Sequence, residues 1–247
     1  MVSRQCAVSI VVPVLNDAAP LKRLLSSLQG MRNALWEIIV VDGGSTDESM
    51  AVAERFADTI LTAATGRAQQ MNAGAAQANG DIVWFVHADA NVSADLLSAL
   101  TRLSAEQENV RHGNFRQRGE LFCWGRCDVR LDHSATIFRL IETLMNWRSR
   151  RTAIATGDQG IFVSRALFAR INGYANIPLM EDVELCSRLR KEMAPLCLRN
   201  QIGVSSRRWT EHGIGKTIVL MWWLRLLYFL GVSAARLHGY YYSSHNK

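Results

Sequence analysis

The chain has 247 residues, enough for one large α/β domain with a substantial core. Its 49% hydrophobic and 20% charged content, without low-complexity runs, linkers or repeats, excludes a disordered or fibrous protein. The net charge of +6 is uneven: residues 1–110 carry 7 basic and 12 acidic side chains, and residues 111–247 carry 21 and 10. The basic half suits phosphates, anionic lipid, nucleic acid or plain solvation, and charge alone does not choose among them.

The N-terminus reads as no secretory signal, because the apolar run 8–14 contains Pro13 and leads straight into Asn16 and Asp17. Cys6, Cys123, Cys127, Cys186 and Cys197 form no Cys-x-x-Cys pair. Cys123 and Cys127 are spaced for one helix face, but nothing near them completes a zinc site. Reduced thiols in a cytoplasmic protein are the expectation.

In chain order, residues 8–14 are a β-branched run expected as a strand buried on both faces. Asn16 or Asp17 can cap a helix with Leu21, Leu24, Leu25 and Leu28 on one face, ended by Gly30. A second strand, 38–41, ends in Asp42-Gly43-Gly44, and the spacing of Ser45 and Glu48 predicts a capping box for a helix through Phe56. A short strand at 60–61 precedes a helix opened by Gly66 and running to Ala78. A buried strand, 82–86, ends in His87-Ala88-Asp89, with a helix near 93–103. Past position 110 the pattern predicts a strand over 115–122, a helix over 137–147, a loop at 148–151, a strand at 161–163 and a helix over 165–171 stopped by Asn172-Gly173. A helix over 181–191 and a strand over 196–204 follow.

This alternation implies a mostly parallel sheet with helices on both faces, whose ligands bind beyond the carboxyl ends of the strands. Asn16, Asp42 and Asp89 each lie just past such an end and make a site. A carboxylate like Asp89 suits a hard divalent cation neutralising a departing diphosphate, although it would equally cap the next helix. Asp42 can accept hydrogen bonds from a base or ribose, or merely form a turn before Gly-Gly. Gly66-Arg67 at a helix start offers a phosphate contact. Glu181-Asp182 opens another helix, where the dipole favours carboxylates, as a general base requires; simple helix-end charge is the plain alternative.

Taken in order, these segments resemble the family 2 glycosyltransferases over about residues 8–215. Ser9 to Asp17 is similar to that family's opening strand and Pro-x-x-Asn-Glu turn, with Asp17 for Glu. Asp42 to Asp47 resembles its Asp-Asp-x-Ser-x-Asp, with Gly43 for the second Asp, and Asn72-x-Gly74 its Asn-x-Gly. Gly80 to Asp89 resembles the strand delivering a metal-binding Asp-x-Asp, with His87 for the first Asp, and Met180-Glu181-Asp182 the Glu-Asp motif. His87-Ala88-Asp89, Gly157 to Gly160, Pro178 to Asp182 and Ser206 to Trp209 are similar to a bacterial subgroup named for arsenosugar biosynthesis or carotenoid glycosylation.

The resemblance implies a GT-A-like domain over 1–215, with a nucleotide-binding half (1–110), an acceptor half (111–215) and a C-terminal helical extension (216–247). It implies an inverting transfer from a nucleotide diphosphate sugar, a UDP-sugar first, to a hydroxyl acceptor. Asp182, beside Glu181, would be the general base. Asp42 and Arg67 would hold the nucleoside in a pocket lined by Pro13 and Asn16, with Gly66, Asn72 and His87 on the donor side. Asp89 would bind Mn²⁺ or Mg²⁺. Gly157 and Asp158 would border the acceptor, and Arg207, Arg208 and Trp209 would close over diphosphate or acceptor. His212 is a further candidate for metal or phosphate. Imidazole suits Mn²⁺ better than Mg²⁺ if His87 coordinates.

Residues 218–235 are nearly all apolar around Arg225. They read as a helix packed on the domain or in a homodimer, a helix lying on the membrane over 217–242, or a span that a central Arg would disfavour by about 2.5 kcal/mol or more. Membrane contact would put the protein on the inner face of the cell membrane and suit a lipid-like acceptor. A Rossmann dehydrogenase is excluded by the missing GxGxxG, and a nucleotidyltransferase by the missing Gly-rich, Lys-bearing loop. A decayed nucleotide-binding scaffold is the non-enzyme alternative, given His87 and Gly43; no nucleic-acid partner is expected.

Overall fold

In the computed structural model, residues 6–32, 35–105, 116–117 and 120–243 are described. The order is β1 (Val8–Val14), α1 (Ala18–Gly30), β2 (Trp36–Asp42), α2 (Ser49–Phe56), β3 (Thr59–Thr62), α3 (Arg67–Ala76), β4 (Ile82–Phe85) and α4 (Ala94–Ala105). A two-stranded ribbon, β5 (Arg116–Gln117) and β6 (Glu120–Leu121), leads to β7 (Trp124–Leu131) and α5 (Thr136–Thr152). A single 3-10 turn, Gly157–Gln159, precedes β8 (Phe162–Ser164), α6 (Arg165–Arg170), α7 (Glu181–Glu192), β9 (Leu196–Val204), α8 (Arg207–His212), α9 (Ile214–Phe229) and α10 (Ala234–Ser243).

Seven strands form one sheet in the order β3-β2-β1-β4-β8-β7-β9. The pairs among β3, β2, β1 and β4 are parallel, as is β7 with β9, whereas β8 runs antiparallel to both of its neighbours. Alternate strand residues point to opposite faces, and the apolar side chains divide accordingly. Ile10, Val12, Val40 and Trp84 pack with Leu21, Leu24, Leu25 and Leu28 of α1 and with Leu96, Leu97 and Leu100 of α4. Val11, Ile39, Val41, Val83 and Phe85 pack on the other face with α3, α6, α7 and with residues of α9 (Leu220, Leu224, Leu227, Tyr228) and α10 (Leu237, Tyr241). Both faces of the centre are therefore covered, as the unbroken apolar strands require.

Five expectations need correction. Ser45 does not form the capping box: its hydroxyl accepts the Asn16 N–H at 2.9 Å, and α2 starts at Ser49, whose N–H donates to Asp47 at 3.0 Å. Residues 148–151 are the last turns of α5, which ends at Ala153 in the left-handed region. The strand expected over 115–122 falls partly outside the described residues, and the long strand is β7, which holds Cys127. Cys123 also lies outside any helix. The apolar C-terminal run is two helices, broken where Gly231 adopts φ +88°. Among the described residues no helix is long and apolar enough to cross a membrane.

Candidate active site

Parallel pairing of β1, β2 and β4 brings Val14, Asp42 and Phe85 to one sheet edge. Asp42 is 3% exposed; its Oδ2 accepts the Gly44 and Ser45 N–H groups at 2.9 Å each. Its Oδ1 is buried with no partner among the described residues. Such an acceptor costs about 1–3 kcal/mol unless something donates to it, so this corner can take one hydrogen bond from a ligand.

Around it the loops are locked. Asn16, with φ 51°, accepts the Thr46 N–H at 2.7 Å, so its amide oxygen ties the loop after β1 to the loop after β2. Gln70 of α3 donates to Val14 O and Val41 O at 2.8 Å each, stapling the ends of β1 and β2. A Cβ on Gly43 would stand 3.1 Å from that Gln70 amide, which gives a local reason for glycine where the family pattern has Asp. Gly66 starts α3 at φ 143°. Pro13 is buried within β1. Asn72 spends both ends of its amide on the Tyr174 backbone, at 2.8 and 2.9 Å, and so anchors a loop.

The second cluster is built on α7. Its N-terminus is set by Met180, held at φ 66°, and its first turn carries Glu181, Asp182 and Glu184. Asp182 Oδ2 accepts the Gly157 N–H at 2.9 Å and Oδ1 accepts the Val183 N–H at 2.7 Å, which fixes the carboxylate. A Cβ on Gly157 would stand 2.6 Å from His87 Nε2, so glycine lets the imidazole lie against the turn. His87 Nδ1 then stands 3.3 Å from Asp158 Oδ1. The turn is anchored from α5, because Gln159 Nε2 donates to Ser149 Oγ at 3.0 Å and to Asn146 Oδ1 at 3.3 Å.

Charge is concentrated here. Burial pushes Glu181 up to about 7; neighbouring Asp182 adds to the push and Arg67 opposes it. Arg67 remains reachable by solvent, yet Glu181, Asp158 and Asp182 all act on it. The dense protein around Arg67 disfavours its charge, the three carboxylates outweigh that, and the guanidinium is held more firmly protonated than usual. The sequence-predicted residues Arg67, His87, Gly157, Asp158, Glu181 and Asp182 are thus brought together.

Two further residues feel the same charges without having been read as site residues. Arg148, in the last turns of α5, and Arg225, in the middle of α9, are both half-buried, the Asp182 carboxylate acts on each, and Asp158 also acts on Arg225. The available signal was a lone charge in an apolar run: a helix folded onto its own domain must give that charge a partner or solvent. Arg207, on α8, reaches Asp17 at 4.0 Å, and Trp209 packs on the small cluster of Val129, Leu131, Phe138, Ile141 and Val204. The side chains of Arg208 and His212 lie outside the described residues.

Asp89 is half-buried past the end of β4 and accepts no hydrogen bond from any described residue. Burial raises the Asp17 carboxyl; Arg207 pulls it down and Asp89 adds to the rise. Oxygen ligands with negative charge around them fit a hard divalent cation. Among the described residues no group of three His, Cys, Asp or Glu side chains could hold an ion alone.

A model of glycosyl transferase family 2 matches residues 9–156. The chain belongs to this family. It is 32% identical over 127 residues to a PGL/p-HBAD biosynthesis glycosyltransferase of Mycobacterium bovis, covering 47% of this chain and 50% of that one. The chain spans about half the length of the curated relatives it matches. Solved structures share its GT-A-type fold. S. aureus TarS 1–349 in complex with UDP-GlcNAc matches with a TM-score of 0.60 and 15% identity, over 81% of this chain and 58% of that one. Glucosyl-3-phosphoglycerate synthase from Mycobacterium tuberculosis, bound to Mn²⁺, UDP and glucosyl-3-phosphoglycerate, matches with a TM-score of 0.55 and 18% identity, over 81% and 71%.

Proposed function

We propose that this protein is an inverting glycosyltransferase that moves a sugar from a UDP-sugar to an acceptor hydroxyl, with Asp182 as general base. The observation that carries the reading is the Asp182 carboxylate, fixed by the Gly157 and Val183 N–H groups at the carboxyl edge of the sheet that also presents Asp42. The open Oδ1 of Asp42 receives a hydrogen bond from the nucleoside. Arg67 and Arg207 face the diphosphate. Asp89 would hold Mn²⁺ or Mg²⁺, which supplies charge neutralisation for the leaving diphosphate. Asp182 takes the proton of the acceptor hydroxyl as that oxygen attacks the anomeric carbon opposite the leaving group, which inverts the configuration. His87, held by Asp158 and seated on Gly157, keeps the turn behind Asp182 in place.

The acceptor in this reading is lipid-like and met at a membrane surface from the cytoplasmic side. Support comes from α5 and α9, which expose Leu140, Leu144 and Trp147 (60%), and Trp222 (71%), Leu226 and Phe229. Residues 214–241 contain no acidic side chain but include Lys216, Arg225 and Arg236, a composition suited to anionic headgroups.

A thermal-shift panel of UDP, GDP, CDP and dTDP, with and without Mn²⁺, tests the donor site. Ligand at 100 times its Kd stabilises by about 2.7 kcal/mol, or about 5–10 °C for a domain of this size. UDP alone is expected to give a metal-dependent shift that Asp89→Ala removes. Asp182→Asn should keep that shift and lose turnover of UDP-sugars by 10²-fold or more, about the contribution of a general base. A wild type that binds UDP but turns over no UDP-sugar would identify a decayed nucleotide-binding member instead.

A further inference from the structure

Residues 171–180 connect α6 to α7, and the start of this connection is gripped from two sides. On one side is α3, the helix that carries Arg67 in its first turn. Asn72 Nδ2 donates to Tyr174 O at 2.8 Å and its Oδ1 accepts the Tyr174 N–H at 2.9 Å, the two-way pairing that a neighbouring strand residue would make. Gln69, three residues earlier on the same helix face, donates to Asn176 Oδ1 at 3.0 Å. On the other side is α7, the helix that carries Asp182. Arg188 donates through Nη2 to Gly173 O at 2.7 Å and through Nη1 to Ile171 O. Glu184, one turn earlier, holds the same guanidinium in a fork, at 2.6 Å from Nε and 2.5 Å from Nη2.

The segment between the two grips is shaped to receive them. Asn172 and Gly173 both adopt left-handed backbone, with φ 58° and 63°, and the carbonyls on either side of Asn172 both meet Arg188. A Cβ at Gly173 would stand 2.6 Å from Asn72 Oδ1, so the hold on Tyr174 requires glycine there. The buried Tyr174 ring then meets Phe85, the last residue of β4, edge-on at 5.0 Å between ring centres. Asp89 lies four residues past Phe85. One short stretch, 171–174, thus touches the three elements on which the donor and base assignments rest: α3, β4 and α7. Apolar contact such as that of Tyr174 suffices to keep a loop on the core. Paired polar groups with fixed donor and acceptor directions add a single register to it.

We infer that Asn72 and Arg188 are positioning residues of the transfer: acting through 171–174, they set the register of the donor helix α3 against the base helix α7. This deepens the glycosyltransferase reading and rests on Arg67 as a donor contact and Asp182 as the base. It gives Asn72 a role other than the donor contact that the family resemblance implied, since both ends of its amide are engaged by Tyr174. It also brings in Arg188, whose pairing with Glu184 has the form of an ordinary ion pair on a helix surface. Transfer needs the reacting atoms held about 3–3.5 Å apart and in line, and a misplacement of about 1 Å costs about 100-fold in rate. The strut therefore acts on turnover, while donor affinity is left to Asp42 and Arg67.

The test is hydrogen exchange of the full chain, free and saturated with UDP and Mn²⁺, with the UDP affinity measured by calorimetry. In wild type, UDP held at α3 is expected to slow exchange about threefold or more over the α7 amides from Glu184 onwards, the first of which bonds to Met180 O at 2.9 Å. Asn72→Ala and Arg188→Ala should each keep the UDP Kd within about threefold of wild type and lose that slowing. Arg188→Lys keeps the charge and a donor for one carbonyl, and should recover part of the slowing, which a poorly folded variant would not. Val52→Ala, in the core on the opposite face of the sheet, lowers stability without touching the loop and should keep both readouts. With a UDP-sugar that wild type turns over, kcat of Asn72→Ala and Arg188→Ala should fall about tenfold or more at unchanged Kd. UDP that binds wild type without slowing exchange in α7, or slows it equally in every variant, overturns the strut and leaves the donor and base readings standing. A Kd raised about tenfold or more in Asn72→Ala but not in Arg188→Ala also overturns it and returns Asn72 to the donor. Wild type that binds no nucleotide overturns the donor reading instead; exchange at Glu184 in the free protein then decides the strut, which falls if Asn72→Ala leaves that exchange unchanged.

Discussion

Replacing Glu181 with Gln isolates the electrostatic strain of the site. Glu181 is 7% exposed, and burial with Asp182 beside it moves its carboxyl from 4.5 to about 7. A raised carboxyl binds its proton more tightly in the folded state than in the unfolded one. Stability from this group is therefore present at low pH and falls as pH rises from about 4.5 to about 7. The shift of 7 − 4.5 corresponds to about 3 kcal/mol of destabilisation at pH 8 and about 1 kcal/mol at pH 5, relative to a neutral isostere. Glu181→Gln is thus expected to raise the melting temperature by about 6–12 °C at pH 8 and by only about 2–4 °C at pH 5. Scanning fluorimetry of both proteins from pH 5 to 8.5 reads this directly. A gain that is absent, or equal at both ends of the range, would refute the view that a buried, strained carboxylate stands beside Asp182.

Gly74→Ala should destabilise by about 1–3 kcal/mol in urea unfolding although alanine is the better helix former, because the new Cβ would stand 2.4 Å from Val11 Cγ1 and 3.0 Å from Val41 Cγ2. Gly157→Ala should displace His87 and loosen the Asp182 hydrogen bond, lowering kcat at least tenfold while UDP affinity stays within threefold of wild type; steady-state kinetics with UDP titration separates the two. Asp42→Asn keeps an oxygen and the size but loses the charge that holds Gly44 and Ser45, so UDP affinity should fall about tenfold with the melting temperature little changed. Arg126→Met removes the fully buried partner of Asp128 and a donor to Asn146 O at 3.0 Å, and should cost about 3–5 kcal/mol by chemical denaturation.

The first half of the chain was legible because its strands are buried on both faces and read as unbroken apolar runs. Val8–Val14 stands where the run predicts, and the polar residues past each strand end are the ones the sheet brings to a common edge. Caps were less legible. Ser45 has helix-cap chemistry but serves the loop after β1 through Asn16, and Asp47 divides its two oxygens between the Ser49 N–H at the start of α2 and the Ala18 N–H of α1; a contact 29 residues away leaves no local pattern. Strand β7 escaped because Arg126 and Asp128 interrupt its apolar pattern, yet the two charges pair with each other and Arg150 closes on Asp128 at 2.7 Å. Arg225 was weighed only as a cost to a membrane span, although a helix packed on the domain was among the readings, and the carboxylates that act on it are Asp158 in the turn 157–159 and Asp182 on α7. Recognising it needs the packing of α9 against α7, which no spacing within the helix encodes.

The antiparallel placement of β8 has a consequence for the order in which the chain matures. When a ribosome has released residues up to α4, the strands β3, β2, β1 and β4 can already pair through short crossovers. The open rim of that half-sheet is β4, whose Ile82 to Trp84 stay unpaired until β8 arrives some eighty residues later, and β7 gains its parallel neighbour only when β9 has been made. During that interval the nascent chain exposes an apolar strand edge able to pair with another chain. Slow translation across residues 106–204 is therefore expected to lower the yield of folded protein. Pausing there should favour inclusion bodies, and chaperones that shield strand edges should relieve them.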